Sequence, residues 1–285
     1  METLKIAVQK SGRLLDDSIQ LLKECGIRID NGKDQLMANA SNFPLQVLYL
    51  RNSDIPQYVA DGVADIAIIG ENTLIEKEED LQIVRKLGFS KCKLSLAIPK
   101  EVEYTGLSFF NNKRIATSYP NTLKGFLKEK GLKADIHVIS GSVEIAPNIG
   151  LADSICDLVS SGSTLFKNGL KEVEVMLKSE AVIAANKNLN PEKKAILEKL
   201  VFRINAVLTA KNNKYVLLNA PNDKIEDIIK ILPGMKSPTV MPLATSGWSS
   251  VHTVIEENDF WNIIDQLKAT GAQGILIVPI EKMVI

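Results

Sequence analysis

Residues Glu144–Leu165, EIAPNIGLADSICDLVSSGSTL, carry a short apolar run that empties into a turn of small residues. Ile155, Cys156, Leu158 and Val159 give the run the character of a buried strand over Asp153 to Val159. Ser160, Ser161, Gly162, Ser163 and Thr164 follow at once, and Leu165 and Phe166 begin a helix. A strand that passes through such a turn into a helix leaves backbone N–H groups pointing outward at the positive end of the helix dipole, a geometry that binds phosphate. Plain helix caps use the same residues. Asp153 and Asp157 stand just upstream, where carboxylates can accept hydrogen bonds from two neighbouring sugar hydroxyls while the loop holds a phosphate on the same sugar.

An earlier stretch echoes this one. Gly62-Val63-Ala64-Asp65-Ile66 leads through DIAIIG to Thr73-Leu74, as Gly150-Leu151-Ala152-Asp153 leads through a strand to Thr164-Leu165, with spacings that differ by three residues. The simplest reading is two similar α/β lobes, each presenting a strand-end loop to a shared cleft. The strands of the first lobe end on charge. Leu4 to Val8 runs into Lys10 and Arg13 ahead of a helix over Leu14 to Cys25, Val47 to Arg51 ends on a cation, and Asp65 to Gly70 opens onto Glu71. Ligands of open α/β sheets gather at the carboxyl ends of strands, so Lys10 and Arg13 are either placed for a diphosphate or triphosphate or form the solvated start of the helix, and Arg51 occupies a further strand end. Leu94 to Pro99 crosses into the second lobe, where KRIATSYP brings Arg114, Ser118 and Tyr119 to a polar strand end. Tyr119 either stacks on a purine ring or packs beside Pro120. A strand over Ile136 to Ile139 delivers Gly141-Ser142-Val143-Glu144, and Glu144 orients either a substrate or the loop.

With 285 residues, 45% of them apolar, the chain can bury a sizeable core and divide into two or three domains. Basic and acidic side chains balance to a formal net charge of zero, which argues against a general nucleic-acid surface. Cys25, Cys92 and Cys156 are widely spaced and contain no CxxC pair, the pattern of a reducing compartment rather than of a zinc site. His137 and His252 are too far apart in the chain to suggest a metal pair. The opening METLKIAVQKSGRLL is interrupted by charge too early for a signal peptide or a membrane span, so a cytoplasmic protein is expected.

Pro191 to Lys211 reads as a long amphipathic helix, followed by a polar turn at Lys211-Asn212-Asn213-Lys214. Beyond it the elements run strand (Tyr215 to Asn219), helix (Asp223 to Leu232), strand (Thr239 to Leu243), strand (Ser250 to Ile255), helix (Asp259 to Thr270) and strand (Gly274 to Pro279). That order is the ferredoxin-like split βαβ, without a catalytic cluster, and it points to regulation or assembly.

Glu144, Gly150, Ala152, Ile155, Asp157, Leu158 and Ser161-Gly162-x-Thr164-Leu165 resemble, position by position, the signature of the ATP phosphoribosyltransferase family. QKSGRL (Gln9 to Leu14), DIP (Asp54 to Pro56), IIGEN (Ile68 to Asn72), KRIATSYP (Lys113 to Pro120), GSVE (Gly141 to Glu144) and PIEKM (Pro279 to Met283) look like its other blocks, in order. The resemblance implies the long form: a two-lobed core like type II periplasmic binding proteins, then a ferredoxin-like α+β regulatory domain. Residues 1–92 and 181–211 would make lobe I, 93–180 lobe II and 212–285 the regulatory domain. It implies a glycosyltransferase of histidine biosynthesis that moves the phosphoribosyl group of 5-phosphoribosyl 1-diphosphate (PRPP) to N1 of the adenine of ATP, with Mg2+, releasing pyrophosphate. Ser160, Ser161, Gly162, Ser163, Thr164 and Leu165 would then hold PRPP, with Asp153, Asp157, Arg13 and Lys10 catalytic. Lys10, Arg13, Arg51, Glu71, Arg114 and Tyr119 would meet ATP or pyrophosphate; metal ligands stay unassigned. Histidine is the implied inhibitor, with Thr239 and Ala272 in its site, and a dimer and a hexamer are the implied homo-oligomers. The competing reading is a two-lobed protein that binds or senses a phosphometabolite without chemistry.

Overall fold

The computed structural model describes residues 2–285 except 31–34, 161, 233, 235 and 236. The chain forms two compact units, Met1–Lys23 with Ile27–Leu197 and Glu24–Gly26 with Glu198–Ile285. The division falls part-way along the long helix, ahead of the polar turn at Lys211 where the sequence pattern changes.

The first unit holds two sheets. Strands β1 (Leu4–Gln9), β2 (Met37–Asn39), β3 (Leu45–Leu50), β4 (Ile66–Gly70) and β5 (Gln82–Lys86) lie with helices α1 (Arg13–Glu24), α2 (Ile55–Ala60) and α3 (Glu71–Lys77) in lobe I. Lobe II follows with β6 (Cys92–Pro99), β7 (Arg114–Thr117), α4 (Pro120–Glu129), β8 (Asp135–Val138), β9 (Ser154–Val159), α5 (Ser163–Lys167) and β10 (Leu170–Ser179). The chain then returns to lobe I as β11 (Ala181–Ala185) and continues into α6 (Pro191–Lys211).

The sheet orders are β2-β3-β1-β4-β11-β5 and β10-β6-β9-β7-β8. In each, a parallel core (β3-β1-β4; β8-β7-β9) is flanked by a strand that runs the other way (β11; β6). Strands covered on both faces read as unbroken apolar runs; all five residues of β11, AVIAA, are buried, as are Ile66 to Ile69 of β4. The parallel pairing sets the carboxyl ends of β1, β3 and β4 side by side, and likewise those of β7, β8 and β9. Two segments cross between the lobes and hydrogen-bond to each other: the Leu87 N–H donates to the Ala181 carbonyl (2.9 Å) and the Ala181 N–H to the Phe89 carbonyl (3.0 Å).

Three elements of lobe I went unread in the sequence. β2 is three residues long, and β5 (QIVRK) is an edge strand without a buried face. Glu71–Leu74, which reads as a turn, is the start of α3, because β4 enters that helix directly with no capping side chain at Gly70.

In the second unit, β12 (Asn213–Pro221), α7 (Ile225–Ile231), β13 (Thr239–Pro242), β14 (Trp248–Glu256), α8 (Glu257–Ala269) and β15 (Gln273–Pro279) form an antiparallel sheet in the order β13-β14-β12-β15. This is the ferredoxin-like arrangement expected from the element order. Leu218, Ala220 and Val251 pack against Ile228 and Leu267, and Val216 and Ile255 against Phe260, so both helices cover one face of the sheet.

Candidate active site

β9 carries the second lobe's carboxylate to its loop. Asp157 is half-buried near the carboxyl end of the strand and accepts a hydrogen bond from the Leu158 N–H (2.8 Å). Burial raises its pKa above the ordinary carboxylate range, the Leu158 hydrogen bond works against that, and repulsion from Glu144 adds to it. Glu144 and Asp157 line the same hollow. Glu144 arrives from a single 3-10 turn, Val143–Ile145, which follows β8 and packs on β9.

Glu144, Asp157, Ser160, Gly162, Ser163 and Thr164 line one hollow of about 230 Å3. Gly162 sits at φ 76° as the residue before α5, and the left-handed conformation there lets the chain turn from strand to helix at no steric cost. Ser161 lies outside the described residues. Leu165 turns its side chain into the lobe II core and is buried, so toward the hollow it offers backbone.

On lobe I, Lys10, Arg13 and Arg51 stand exposed beyond the ends of β1 and β3. None of the three forms an ion pair with another described residue. Arg13 lies near enough to Cys92 to oppose the upward push of burial on that thiol. Glu71, the first residue of α3, pairs with Lys86 at 2.9 Å. Where the lobes join, a second hollow of about 430 Å3 is lined by Lys86, Lys91, Lys93 and Lys178, with Glu71 and Glu180. Ser160 lines both hollows, so the phosphate-type loop and this lysine-rich space adjoin. The four lysines were not picked out from the sequence. Lys91-Cys92-Lys93 follows directly on the first lobe-to-lobe crossing, between β5 and β6.

Two expected members are not there. Asp153 precedes β9, at the opposite end of the strand from the loop, and is fully engaged. It accepts from the Arg114 backbone N–H (2.9 Å) and from the Arg114 guanidinium (3.0 Å), while its own N–H donates to the Arg114 carbonyl (2.9 Å). Those hydrogen bonds from Arg114 hold its pKa below the ordinary carboxylate value. Asp153 and Asp157 share a strand face but stand four residues apart, about 13 Å at strand rise, too far to grip adjacent hydroxyls. Arg114 begins β7, so it too lies at the amino end of the sheet, away from the site.

Tyr119 packs into the lobe II core, and its hydroxyl accepts from Asn72 Nδ2 of lobe I at 3.5 Å. Burial, then the nearby Asp157, pushes its pKa well above normal. It is a seam residue beside Asp157 more than an open stacking platform.

In the second unit, Thr239 and Ala272 belong to opposite edges of the sheet. Thr239 is on β13 and Ala272 directly precedes β15, with β14 and β12 between them, so one copy of the sheet does not bring them together. His252 is held by Tyr215 Oη (2.7 Å) and Ser250 Oγ (2.9 Å), and His137 by Asp135 (3.0 Å), as satisfied histidines. Among the described residues, no group of three or more His, Cys, Asp or Glu side chains is placed to hold a metal ion, and no helix is long and apolar enough to cross a membrane.

Comparison with known proteins gives concordant matches over the two units. The family model described as ATP phosphoribosyltransferase matches residues 51–206, and the HisG C-terminal domain model matches residues 210–282. An ATP phosphoribosyltransferase of Bacteroides fragilis is 61% identical over 282 residues, 99% of this chain and 100% of that protein. That of Cytophaga hutchinsonii is 59% identical over 281 residues, 99% of this chain and 98% of that protein. Among solved structures, a chain of the ATP phosphoribosyl transferase (HisG:HisZ) complex from Thermotoga maritima superposes with a TM-score of 0.63 at 28% identity, covering 72% of this chain and 98% of that one. A histidine kinase sensor domain similar to periplasmic binding proteins superposes at 0.50 and 11% identity over 73% of this chain and 93% of its own, a likeness of fold alone.

Proposed function

This chain belongs to the ATP phosphoribosyltransferase family, and from that premise we propose how its two lobes divide the reaction between them. It is a phosphoribosyltransferase, a glycosyltransferase of histidine biosynthesis, with ATP and PRPP as substrates. The bond from the anomeric carbon of PRPP to pyrophosphate breaks, the bond from that carbon to N1 of adenine forms, and the electron pair of the broken bond leaves with pyrophosphate. Positive charge builds on the sugar as it departs. The protein's task is to hold the sugar, favour that charge and receive an anionic leaving group.

In this reading the loop from Ser160 to Leu165 grips the 5-phosphate through backbone N–H groups at the start of α5 and through its hydroxyls. Asp157 and Glu144 take the ribose hydroxyls and face the developing cation. Lys10, Arg13 and Arg51, from the strand ends of lobe I, receive pyrophosphate and the ATP polyphosphate. Glu71 stays with Lys86 at the edge of that region. Adenine attacks as a neutral atom, so alignment carries the catalysis, and positioning of this kind contributes on the order of 7 to 11 kcal/mol. The family implies a divalent cation. Two carboxylates facing one hollow are hard oxygen donors that suit Mg2+. Asp157 and Glu144 would hold it, and the ion would neutralise charge on the pyrophosphate. The single observation that carries the proposal is this convergence of Glu144 and Asp157 on the hollow behind Gly162.

The second unit is proposed to bind histidine and inhibit the enzyme, with dimers and hexamers as the working assemblies in a cytoplasmic protein. The Thermotoga chain is matched nearly end to end by 72% of this one, so this chain carries residues beyond that match. Pyrophosphate release in the presence of ATP, PRPP and Mg2+, with pyrophosphatase to draw the reaction forward, tests the site. Release is expected to need both substrates and to fall when histidine is added. Tight binding of PRPP without release would reject the catalytic assignment of Asp157 and Glu144. Histidine inhibition that survives deletion of the chain after Lys211 would reject the regulatory role.

A further inference from the structure

Helix α4 of lobe II begins without a cap of its own. Tyr119 stands at its N-cap position and makes no side-chain cap hydrogen bond, and Pro120 follows at the first helical position. The donors that an N-cap side chain ordinarily satisfies are the backbone N–H groups of the next two residues. Here both donate to Glu76 of lobe I: Asn121 N–H to Oε1 (3.0 Å) and Thr122 N–H to Oε2 (2.9 Å). The Thr122 hydroxyl also donates to Oε2 (2.8 Å), and Asn121 Nδ2 donates to the Glu76 carbonyl (2.9 Å). Glu76 is buried, 8% exposed, in the last turn of α3, where the dipole of its own helix disfavours a negative charge. At the start of α4 the same charge is favoured. Asn72, four residues earlier and so on the same face of α3, reaches toward Tyr119 Oη.

We propose that Glu76 is a positioning residue for phosphoribosyl transfer: a cap supplied by one lobe to the other, which fixes the separation between the lobe II phosphate loop and the lobe I cations. This rests on the division of labour proposed above, in which PRPP spans both lobes. A ligand that engages lobe II alone is indifferent to the clasp, whereas one that bridges the lobes depends on it.

The test is Glu76→Gln in the full chain, which keeps the shape of the side chain but removes the charge and places an NH2 group against backbone donors. Three quantities are measured: hydrogen exchange over residues 119–127, the Kd of ribose 5-phosphate, and the KM for PRPP alongside kcat. The clasp predicts faster exchange at the start of α4, a ribose 5-phosphate Kd within about twofold of the parent, and a KM for PRPP raised roughly two- to thirtyfold, the range that one helix cap represents. Unchanged exchange, or an unchanged KM with exchange accelerated, overturns it. Parallel loss of ribose 5-phosphate and PRPP binding also overturns it, since Glu76 would then support the lobe II fold and not its spacing. If the parent protein fails to bind ribose 5-phosphate, the loop assignment falls, and the exchange and PRPP kinetics of the variant still decide the clasp.

Discussion

The two lobes start alike and end differently. Asp65 and Asp153 each precede a buried strand, and each exchanges backbone hydrogen bonds with the neighbouring strand. The Asp65 N–H donates to the Lys5 carbonyl and the Lys5 N–H returns to the Asp65 carboxylate; Asp153 and Arg114 do the same. Each carboxylate also holds a cation, Lys193 at 2.8 Å for Asp65 and Arg114 at 3.0 Å for Asp153. At the far end of the strands the likeness stops. β4 enters α3 directly, and the first N–H groups of α3 are taken internally: Glu71 donates to the Glu180 carbonyl (3.0 Å) and Asn72 to Ser179 Oγ (3.0 Å). β9 instead ends at Val159 and α5 begins at Ser163, and between them Ser160 and Gly162 line the hollow shared with Glu144 and Asp157. A repeated frame therefore carries one sealed exit and one open one, and binding is assigned to the lobe whose exit is three residues longer.

The largest expected effect separates the two aspartates of β9. Asp157→Asn is expected to lower kcat about 100-fold or more, the scale of losing one group aimed at a developing charge, without changing the melting temperature much. Asp153→Asn should leave kcat of the folded enzyme near normal; comparable kcat losses in the two variants would erase the distinction between the ends of the strand. Next come the two matched aspartates themselves. Asp65 is 4% exposed, so Asp65→Asn is expected to destabilise by roughly 3 kcal/mol in urea unfolding, the low end for breaking a buried pair. Asp153 is 35% exposed at its side chain and Arg114 is more exposed still, so Asp153→Asn is expected to destabilise much less. Equal destabilisation would mean that burial is not what distinguishes them.

The glycines at the exits sharpen the comparison further. Gly162→Ala meets open space but must hold φ 76°, at a cost of about 1 to 2 kcal/mol, and is expected to raise the KM for PRPP. At Gly70 the conformation is ordinary, but an added Cβ would sit 2.5 Å from Asn72 Oδ1, so Gly70→Ala displaces Asn72 from Ser179. Loosening of the interlobe seam by hydrogen exchange, with ribose 5-phosphate binding intact, is the expected readout. The smallest effect is in acid. Asp153 has a folded pKa below its ordinary 3.8, so its contribution is present above that value and is lost as pH falls through the folded pKa. Asp153→Asn should flatten the acid limb of the melting temperature below about pH 4, and an unchanged limb would assign acid lability to other carboxylates.

How much of this the sequence disclosed depended on whether a signal was local. The apolar runs of β4 and β9 and the strand and helix order of the second unit come from local patterning, and the span of α6 from Pro191 at its start and the polar turn at its end. The passage from the apolar run of β9 into the short helix α5 was visible because a Ser/Gly turn follows that run, the same pattern that a plain helix cap uses. What failed were pairings across distance. Asp153 looked like a partner for Asp157 because the two are close in sequence, although strand rise separates them; Glu144, the carboxylate that shares a hollow with Asp157, arrives from another turn. Arg114 read as a free cation because its partner lies 39 positions away. Glu76 left no trace, since a cap lent by one lobe to the other has no pattern along the chain.

The return of the chain to lobe I as β11 has a consequence for synthesis. Lys86 of β5 pairs with Val182 of β11, 96 positions later, and β5 has no other strand neighbour among the described residues. Lobe II, by contrast, is one uninterrupted stretch from β6 to β10. On the ribosome the second lobe can therefore close while the edge of the first is still waiting for its partner, the reverse of the usual order in which N-terminal parts fold first. A released chain truncated after Ser179 should show a protease-resistant second lobe beside a sensitive first, and resistance of the first lobe at that length would refute the order. An exposed strand that must wait is also an opening for wrong pairing. In β5, the charges of Arg85 and Lys86 guard that edge until β11 emerges.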